Sequence, residues 1–291
     1  MKRGKGPYGR NGLVVRIVYF GLAVICGFWI ALTQKARGKW IVLCYHGVQP
    51  EQAKRFDAQL RHVADRVVAV DQIGRGKPGV CLTFDDAFAC LLDNVIPVSA
   101  ELGAPITIFP VTENFDSIPK WDMPEAHPEK GLRTMSKLEV LGLKDNSLVT
   151  IGSHTATHPR LADVPEATVD YELQASHDAL KGLLNSAPVD FALPHGSFNR
   201  YVCQTARIVG YQRVYTLDPR MNEHLSDDGL VGRFSVDPDM WIAEFRMTAA
   251  GAYSYLFTLR RVLKRIQSWV RLNPKPLSRN ALIEKTAANH P

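Results

Sequence analysis

Val80-Cys81-Leu82-Thr83-Phe84-Asp85-Asp86 decides the reading of this 291-residue chain: a short apolar, strand-like run closed by two adjacent carboxylates. About seventy residues later a second apolar run, 148–151, leads into Ser153-His154-Thr155-Ala156-Thr157-His158-Pro159. Together the two segments offer one carboxylate and two imidazoles as ligands for a divalent ion, with a spare carboxylate as base. Three protein ligands leave a coordination position open, where bound water falls from a pKa of about 15.7 to about 7 and becomes a usable nucleophile. Neighbouring side chains on an extended strand point to opposite sides. Asp85 and Asp86 can therefore share a cavity only where the backbone turns at the strand's end. Each segment alone has a plainer reading. An Asp-Asp pair can cap a helix starting near Ala87, and two histidines four apart can be a coincidence of the surface.

Working outward, strand-like runs fall at 40–45, 80–84, 106–109, 148–151, 189–193, 213–217 and 230–236. Helical patterns lie between them, at 51–63, 87–102, 136–143, 166–184 and 200–209, with Ser136 and Glu139 spaced as a capping box. Repeated strand–helix units imply parallel pairing, in a barrel or a doubly wound sheet. The chemistry-bearing residues His46, Asp85, Asp86, His154 and His195 all follow strand ends. That is the face on which α/β barrels carry their catalytic loops. The expected fold is a distorted (β/α) barrel of about seven strands, preceded by one transmembrane helix.

That helix is expected over 13–32, nearly all apolar and broken mainly by Arg16. Twenty residues span about 30 Å, the thickness of a bilayer core. Lys2, Arg3, Lys5 and Arg10 precede it and Lys35, Arg37 and Lys39 follow, so a positive-inside bias favours a cytoplasmic N-terminus only slightly. No small-x-small cleavage site follows, which favours an uncleaved anchor over a removed signal peptide. Four segments result: a basic tail over 1–12, the anchor over 13–32, the barrel over 38–240 and a C-terminal part over 241–291. Within the last, 255–270 reads as a basic amphipathic helix, suited to an anionic membrane surface or to packing on the barrel. Net charge is +6, hydrophobic content 46% and charged content 22%, values of a globular domain with ample core. The basic residues crowd the two ends without a nucleic-acid motif, so anionic lipid is the expected partner and nucleic acid is not. The five cysteines suggest no disulfide framework, and Cys44 and Cys81 in apolar runs read as small buried hydrophobes.

Two further histidines stand at strand ends. His46, in Tyr45-His46-Gly47-Val48, can donate a proton to a leaving amine or be a satisfied structural histidine. His195, in Phe191-Ala192-Leu193-Pro194-His195-Gly196, lies in a turn whose backbone N–H can face a developing oxyanion, or in a plain turn. The hydroxyls of Ser153, Thr155 and Thr157 are placed to orient the metal-facing rings.

From about residue 40 to about 236 the chain resembles the polysaccharide deacetylases with a NodB-homology domain, carbohydrate esterase family four. Thr83-Phe84-Asp85-Asp86-Ala87 is similar to the family's Thr-Phe-Asp-Asp-Gly, the 153–159 segment to its second motif, and 191–196 to a third, usually Arg-x-Pro-Tyr-Gly. The resemblance implies that Asp85 is the general base, that Asp86, His154 and His158 hold the metal, and that the His195 amide serves the oxyanion. Ala87 replaces a Gly, Ala192 an Arg and His195 a Tyr. The lost Arg removes a cation expected beside the base, for which Arg233 is a candidate substitute. The family's late Leu-x-x-His acid is missing. Tyr45-His46-Gly47-Val48 instead matches the poly-N-acetylglucosamine deacetylase-like subgroup, which makes His46 the acid.

The function implied is metal-dependent hydrolysis of N-acetyl groups on a glycan at a membrane, releasing acetate and free amino sugar. It is a hydrolase reaction on a linear amide rather than a peptide. Zinc is the first choice of metal, with nickel, cobalt or iron also suited to two His and one Asp. Expected partners are the N-acetylated glycan, membrane lipid and exopolysaccharide assembly proteins, with a single-pass anchor and a periplasmic or extracellular catalytic domain. The alternatives are a deacylase of a lipid-linked sugar or O-acetyl glycan, and a catalytically weak glycan-binding subunit of an export assembly.

Overall fold

The computed structural model describes residues 12–33, 36, 38–225 and 227–258. Most of the basic N-terminal tail and the amphipathic helix expected over 255–270, past residue 258, lie outside them.

Eight strands form among these residues: β1 Ile41–Tyr45, β2 Val80–Asp85, β3 Ile106–Phe109, β4 Val149–Ile151, β5 Asp190–Ala192, β6 Arg213–Tyr215, β7 Leu230–Val231 and β8 Phe234–Ser235. They make a five-stranded sheet in the order β4-β3-β2-β1-β8 and a three-stranded one in the order β5-β6-β7. All paired strands are parallel; Cys44 faces Thr83 across β1 and β2, and Leu82 faces Ile106 across β2 and β3. A bridge between Ser153 and Phe191 ties the end of β4 to β5, and β7 runs into β8 across Gly232 and Arg233. The ring is thus a distorted parallel barrel. The seventh expected strand, 230–236, is a correction: it is two short strands, the first paired with β6 and the second with β1. The chain changes partners at Gly232-Arg233, and this is how the ring closes.

Both faces of β1, β2, β3, β5 and β6 are buried, as parallel pairing requires. Ile41, Leu43, Tyr45, Val80, Leu82 and Phe84 point outward into one core with helix residues such as Phe56, Leu60, Leu91, Leu180 and Phe245. Alternate positions Val42 and Cys81 point inward, meeting Phe109, Ala192, Tyr215 and Val231 from across the ring. Asp85 lies on that inward face of β2, four residues after Cys81.

The helices are α1 Gly12–Thr33, α2 Ala53–Val63, α3 Cys90–Asn94, α4 Ile96–Glu101, α5 Lys137–Gly142, α6 Glu166–Leu184, α7 Arg200–Val209 and α8 Ile242–Ala249. The capping box before α5 forms: Ser136 Oγ accepts from Glu139 N at 3.2 Å, and Ser136 N donates to Glu139 Oε2 at 2.7 Å. The helix expected over 87–102 is two pieces, α3 and α4, because Ala87 has φ +51° and Pro97 sits in the first turn of α4. Asp85 and Asp86 therefore cap no helix at Ala87.

α1 is long and apolar enough to cross a membrane by length and composition, with a window over Arg16–Thr33. One stripe of it packs along α8. Arg16 pairs with Glu244 at 2.5 Å and lies 4.3 Å from the Trp241 ring centroid.

Candidate metal centre and catalytic pocket

Asp85 is the last residue of β2. The next two take left-handed backbone, Asp86 at φ +67° and Ala87 at +51°. This reversal swings the Asp86 carboxylate to the same side as Asp85. Thr155 (φ +68°), His158 (+70°) and His195 (+57°) have the same unusual backbone. So five of the seven positive-φ residues other than glycine, among the described residues, lie in these three loops. Such strain costs of order 1–3 kcal/mol per residue and persists where the surroundings over-determine it, typically at functional sites.

Those surroundings can be named. His154 N donates to Pro110 O at 3.1 Å, and Ala192 N to Ser153 O at 2.9 Å. Buried Glu172 of α6 accepts from Ala156 N at 2.9 Å and Thr157 N at 2.8 Å, clamping the loop between the two histidines. The expected ring-orienting role of the three hydroxyls is corrected. Ser153 Oγ pairs with Ser176 Oγ, Thr155 Oγ1 accepts from His158 N, and Thr157 Oγ1 donates to Glu172. The His154 ring is oriented by the main chain instead: Nδ1 lies 2.8 Å from Ala192 O, an atom that can only accept. Nδ1 therefore carries the proton, and Nε2 presents its lone pair to the pocket.

That lone pair faces Asp86. His154 Nε2 is 3.6 Å and His158 Nε2 3.5 Å from Asp86 Oδ1, and one ligand atom from each of the three residues lies within 4.8 Å of the others. All three residues are buried, and Asp86 Oδ1 has no hydrogen-bond partner in the protein. An orphaned buried carboxylate oxygen facing two imidazole nitrogens fits a divalent ion. The electrostatics agree. Burial lowers His154 to about 4 and pushes His158 further down, so both rings are neutral, as ligands must be. Burial, with Asp85 and Glu129 adding to it, raises Asp86 to about 7, a carboxylate short of a cation.

Asp85 is the opposite case. Arg233, fully buried, donates to both of its oxygens, Nη1 to Oδ1 at 2.6 Å and Nη2 to Oδ2 at 2.8 Å. Burial alone would raise this carboxyl, but Arg233 holds it well below the usual carboxylate range. Cys44 Sγ lies 3.3 Å from Asp85 Oδ2, and burial keeps it a thiol, so this residue is a polar neighbour of the site and more than the core filler expected. Cys44, His46 and Asp85 also lie close enough to hold an ion. Asp85 is already paired with Arg233 and Cys44 keeps its proton, so this trio is a poor ligand set.

His46, Asp85, Asp86, His154, His158 and His195 all line one cavity of 540 Å³. Burial pulls His46 down, but Glu129, Asp86 and Asp85 outweigh it and raise the imidazole above its ordinary value. In the 194–196 turn, Gly196 N and Ser197 N bond back to Leu193 O and Pro194 O, while His195 sets its ring edge-on to His158 at 4.7 Å. Residues unmarked by any motif complete the wall. Trp121 stacks on His158 at 4.4 Å, and Glu129 accepts from Gly47 N at 2.8 Å. Both come from the irregular stretch before α5, which has no periodicity to single them out.

The model of the polysaccharide deacetylase family matches residues 73–214. No curated protein matches the chain. Among solved structures, IcaB from Ammonifex degensii superposes with a TM-score of 0.59 at 24% identity, covering 74% of this chain and 97% of its own. The Streptococcus pyogenes deacetylase PplD, solved with acetate, gives 0.60 at 20% identity, covering 72% and 98%. A de-N-acetylase from Aggregatibacter actinomycetemcomitans gives 0.60 at 18%, covering 72% and 99%. At these identities the superpositions speak for the fold. The family match runs from the first acidic motif through the third, and the fold is that of the polysaccharide deacetylases, the family this chain resembles.

Proposed function

We propose that the chain hydrolyses N-acetyl groups on an amino-sugar glycan at a membrane, releasing acetate and leaving a free amine. The observation that carries this reading is the pairing of opposites on adjacent residues: Asp86 Oδ1 without a partner between two neutral imidazoles, and Asp85 clamped ionised by Arg233. Asp86, His154 and His158 would hold the ion, zinc by donor set, with nickel, cobalt or iron as further candidates. Bound there, it supplies Lewis acidity toward the acyl oxygen and lowers the pKa of a water.

The chain's own groups do the rest. Asp85, ionised at neutral pH, accepts the proton that the water loses as its oxygen bonds to the acyl carbon. The His195 amide donates to the carbonyl oxygen as charge builds on it. His46 gives its proton to the nitrogen as the C–N bond breaks, so the amine leaves neutral and acetate remains. The raised pKa of His46 suits a donor that must arrive protonated. Arg233 is a positioning residue that acts through Asp85, in the place of the arginine the third motif lacks. The apolar α1 supports attachment to a membrane, where glycan-export proteins are the expected neighbours.

The test is acetate release from defined N-acetyl glycans, O-acetyl glycans and lipid-linked amino sugars, with chelator and after metal is restored. Release from N-acetyl glycan that chelator abolishes and metal restores is expected. Asp85→Asn should keep stoichiometric metal and lose roughly 10²–10⁴ in rate. Unchanged turnover in Asp85→Asn would sink the role given to it. Binding of glycan with no acetate released would favour the glycan-binding subunit.

A further inference from the structure

α1 does not stand away from the barrel. Arg16, Ala23, Gly27 and Ile30 are spaced seven, four and three residues apart and fall on one helical face. That face is the one occupied. Arg16 reaches Glu244, whose side chain is only 5% exposed, and lies over Trp241. A Cβ on Gly27 would stand 3.0 Å from Met247 Sδ and 3.7 Å from Ala252 Cβ. Ala23 and Ile30 are buried. Between Arg16 and Gly27 the helix rises about 16 Å, with contacts to Trp241, Glu244, Met247 and Ala252 in and around α8. A helix crossing a bilayer needs about 30 Å with hydrocarbon or other spanning segments around it. Here roughly half that length lies against a domain that carries a charged carboxylate at the contact. The opposite arc (Ile17, Val18, Leu22, Ile25, Phe28, Leu32) is apolar and exposed. Trp241 and Ile242, 43% and 40% exposed, extend the patch onto the barrel.

We infer that α1 lies in the plane of an anionic bilayer surface, its outer arc sunk into the interface and its inner stripe fixed to α8. The flanking charges choose this occupant. Lys2, Arg3, Lys5 and Arg10 precede the helix and Lys35, Arg37 and Lys39 follow it. A crossing helix would have to place one basic group on each side. An in-plane helix brings both groups to one anionic leaflet, which attracts basic residues near its surface. The Trp241 ring, apolar with one polar edge, suits the headgroup boundary. The inference rests on the membrane attachment proposed above and changes how that attachment is made.

The test uses the full chain with a protease-cleavable tag at the N-terminus and a second at the C-terminus, mixed with vesicles of phosphatidylcholine alone or with phosphatidylglycerol. Co-sedimentation is expected with the anionic vesicles and should weaken in high salt. External protease should then remove both tags from the same vesicle-bound molecules. Ile25→Glu with Phe28→Glu should abolish co-sedimentation while the thermal melt stays unchanged. A protected N-terminal tag beside a digested barrel would overturn the in-plane arrangement and leave attachment standing. No co-sedimentation, or a dimer that covers the arc and ignores vesicles, would overturn both.

Discussion

Asp85 and Asp86 are neighbours with opposite fates, decided by what each one faces. Asp85 shares its charge with a guanidinium that is itself completely enclosed. Removing one partner of such a buried pair strands the other, at a cost of about 3–5 kcal/mol. Arg233→Met is expected to lower stability by that much in urea titrations. It should also let Asp85 protonate more readily, moving the acidic limb of the pH–rate profile upward. Adding Asp85→Asn to Arg233→Met should recover much of the lost stability, and a double variant no better than the single would refute the pairing. The motif residues were legible because their chemistry has a spacing. Arg233 was legible only through the vacancy at Ala192, which implied a missing cation somewhere. Glu172, Trp121, Glu129 and the Ala192 carbonyl were not. A glutamate on an amphipathic helix looks like any solvated charge, and a carbonyl carries no sequence signal at all.

At the scale of elements, the loop after β4 depends on Gly152. A Cβ there would sit 2.3 Å from Phe109 Cε1 and 2.8 Å from Asp190 O, so ring and main chain would both have to move. Gly152→Ala is expected to cost about 1–3 kcal/mol. Because Ser153 and His154 follow directly, it should weaken metal affinity as well. Equilibrium denaturation with metal titration checks this, and full affinity in the Ala variant would show that the loop tolerates the shift. Helices α6 and α7 were legible to the residue from their helical pattern between strand-like runs. The pattern over 87–102 misled because alternating apolar residues say nothing about a left-handed turn at their start. The pattern over 230–236 misled for a different reason: strand-like residues on both sides of Gly232-Arg233 do not reveal that the two halves pair with different neighbours.

For the molecule as a whole, a metal held as proposed would compete with the proton for Asp86. In the metal-free fold this group titrates near 7, above its ordinary range, because burial disfavours its charge. The fold binds that proton more tightly than the unfolded chain does. Its contribution is therefore present in acid and is lost as pH climbs through about 7, the range in which bound metal adds most. The histidines, lowered to about 4 and beyond, are already neutral there. Metal affinity should rise about tenfold per pH unit from 5 to 7 and level off above, one proton being displaced per ion. Titrations in buffers of different ionisation enthalpy measure that proton, and an affinity flat across this range would mean that Asp86 is not the competing group.

Arg233 lies at the seam, in the two-residue gap where the last strand leaves β6 and joins β1. Its guanidinium reaches Asp85 only once that seam is shut. An incompletely zipped ring would leave Asp85 without its counter-ion and Asp86 beside an uncompensated neighbour. Assembly and competence are thus one event: on the roles proposed, a half-made chain carries no working base.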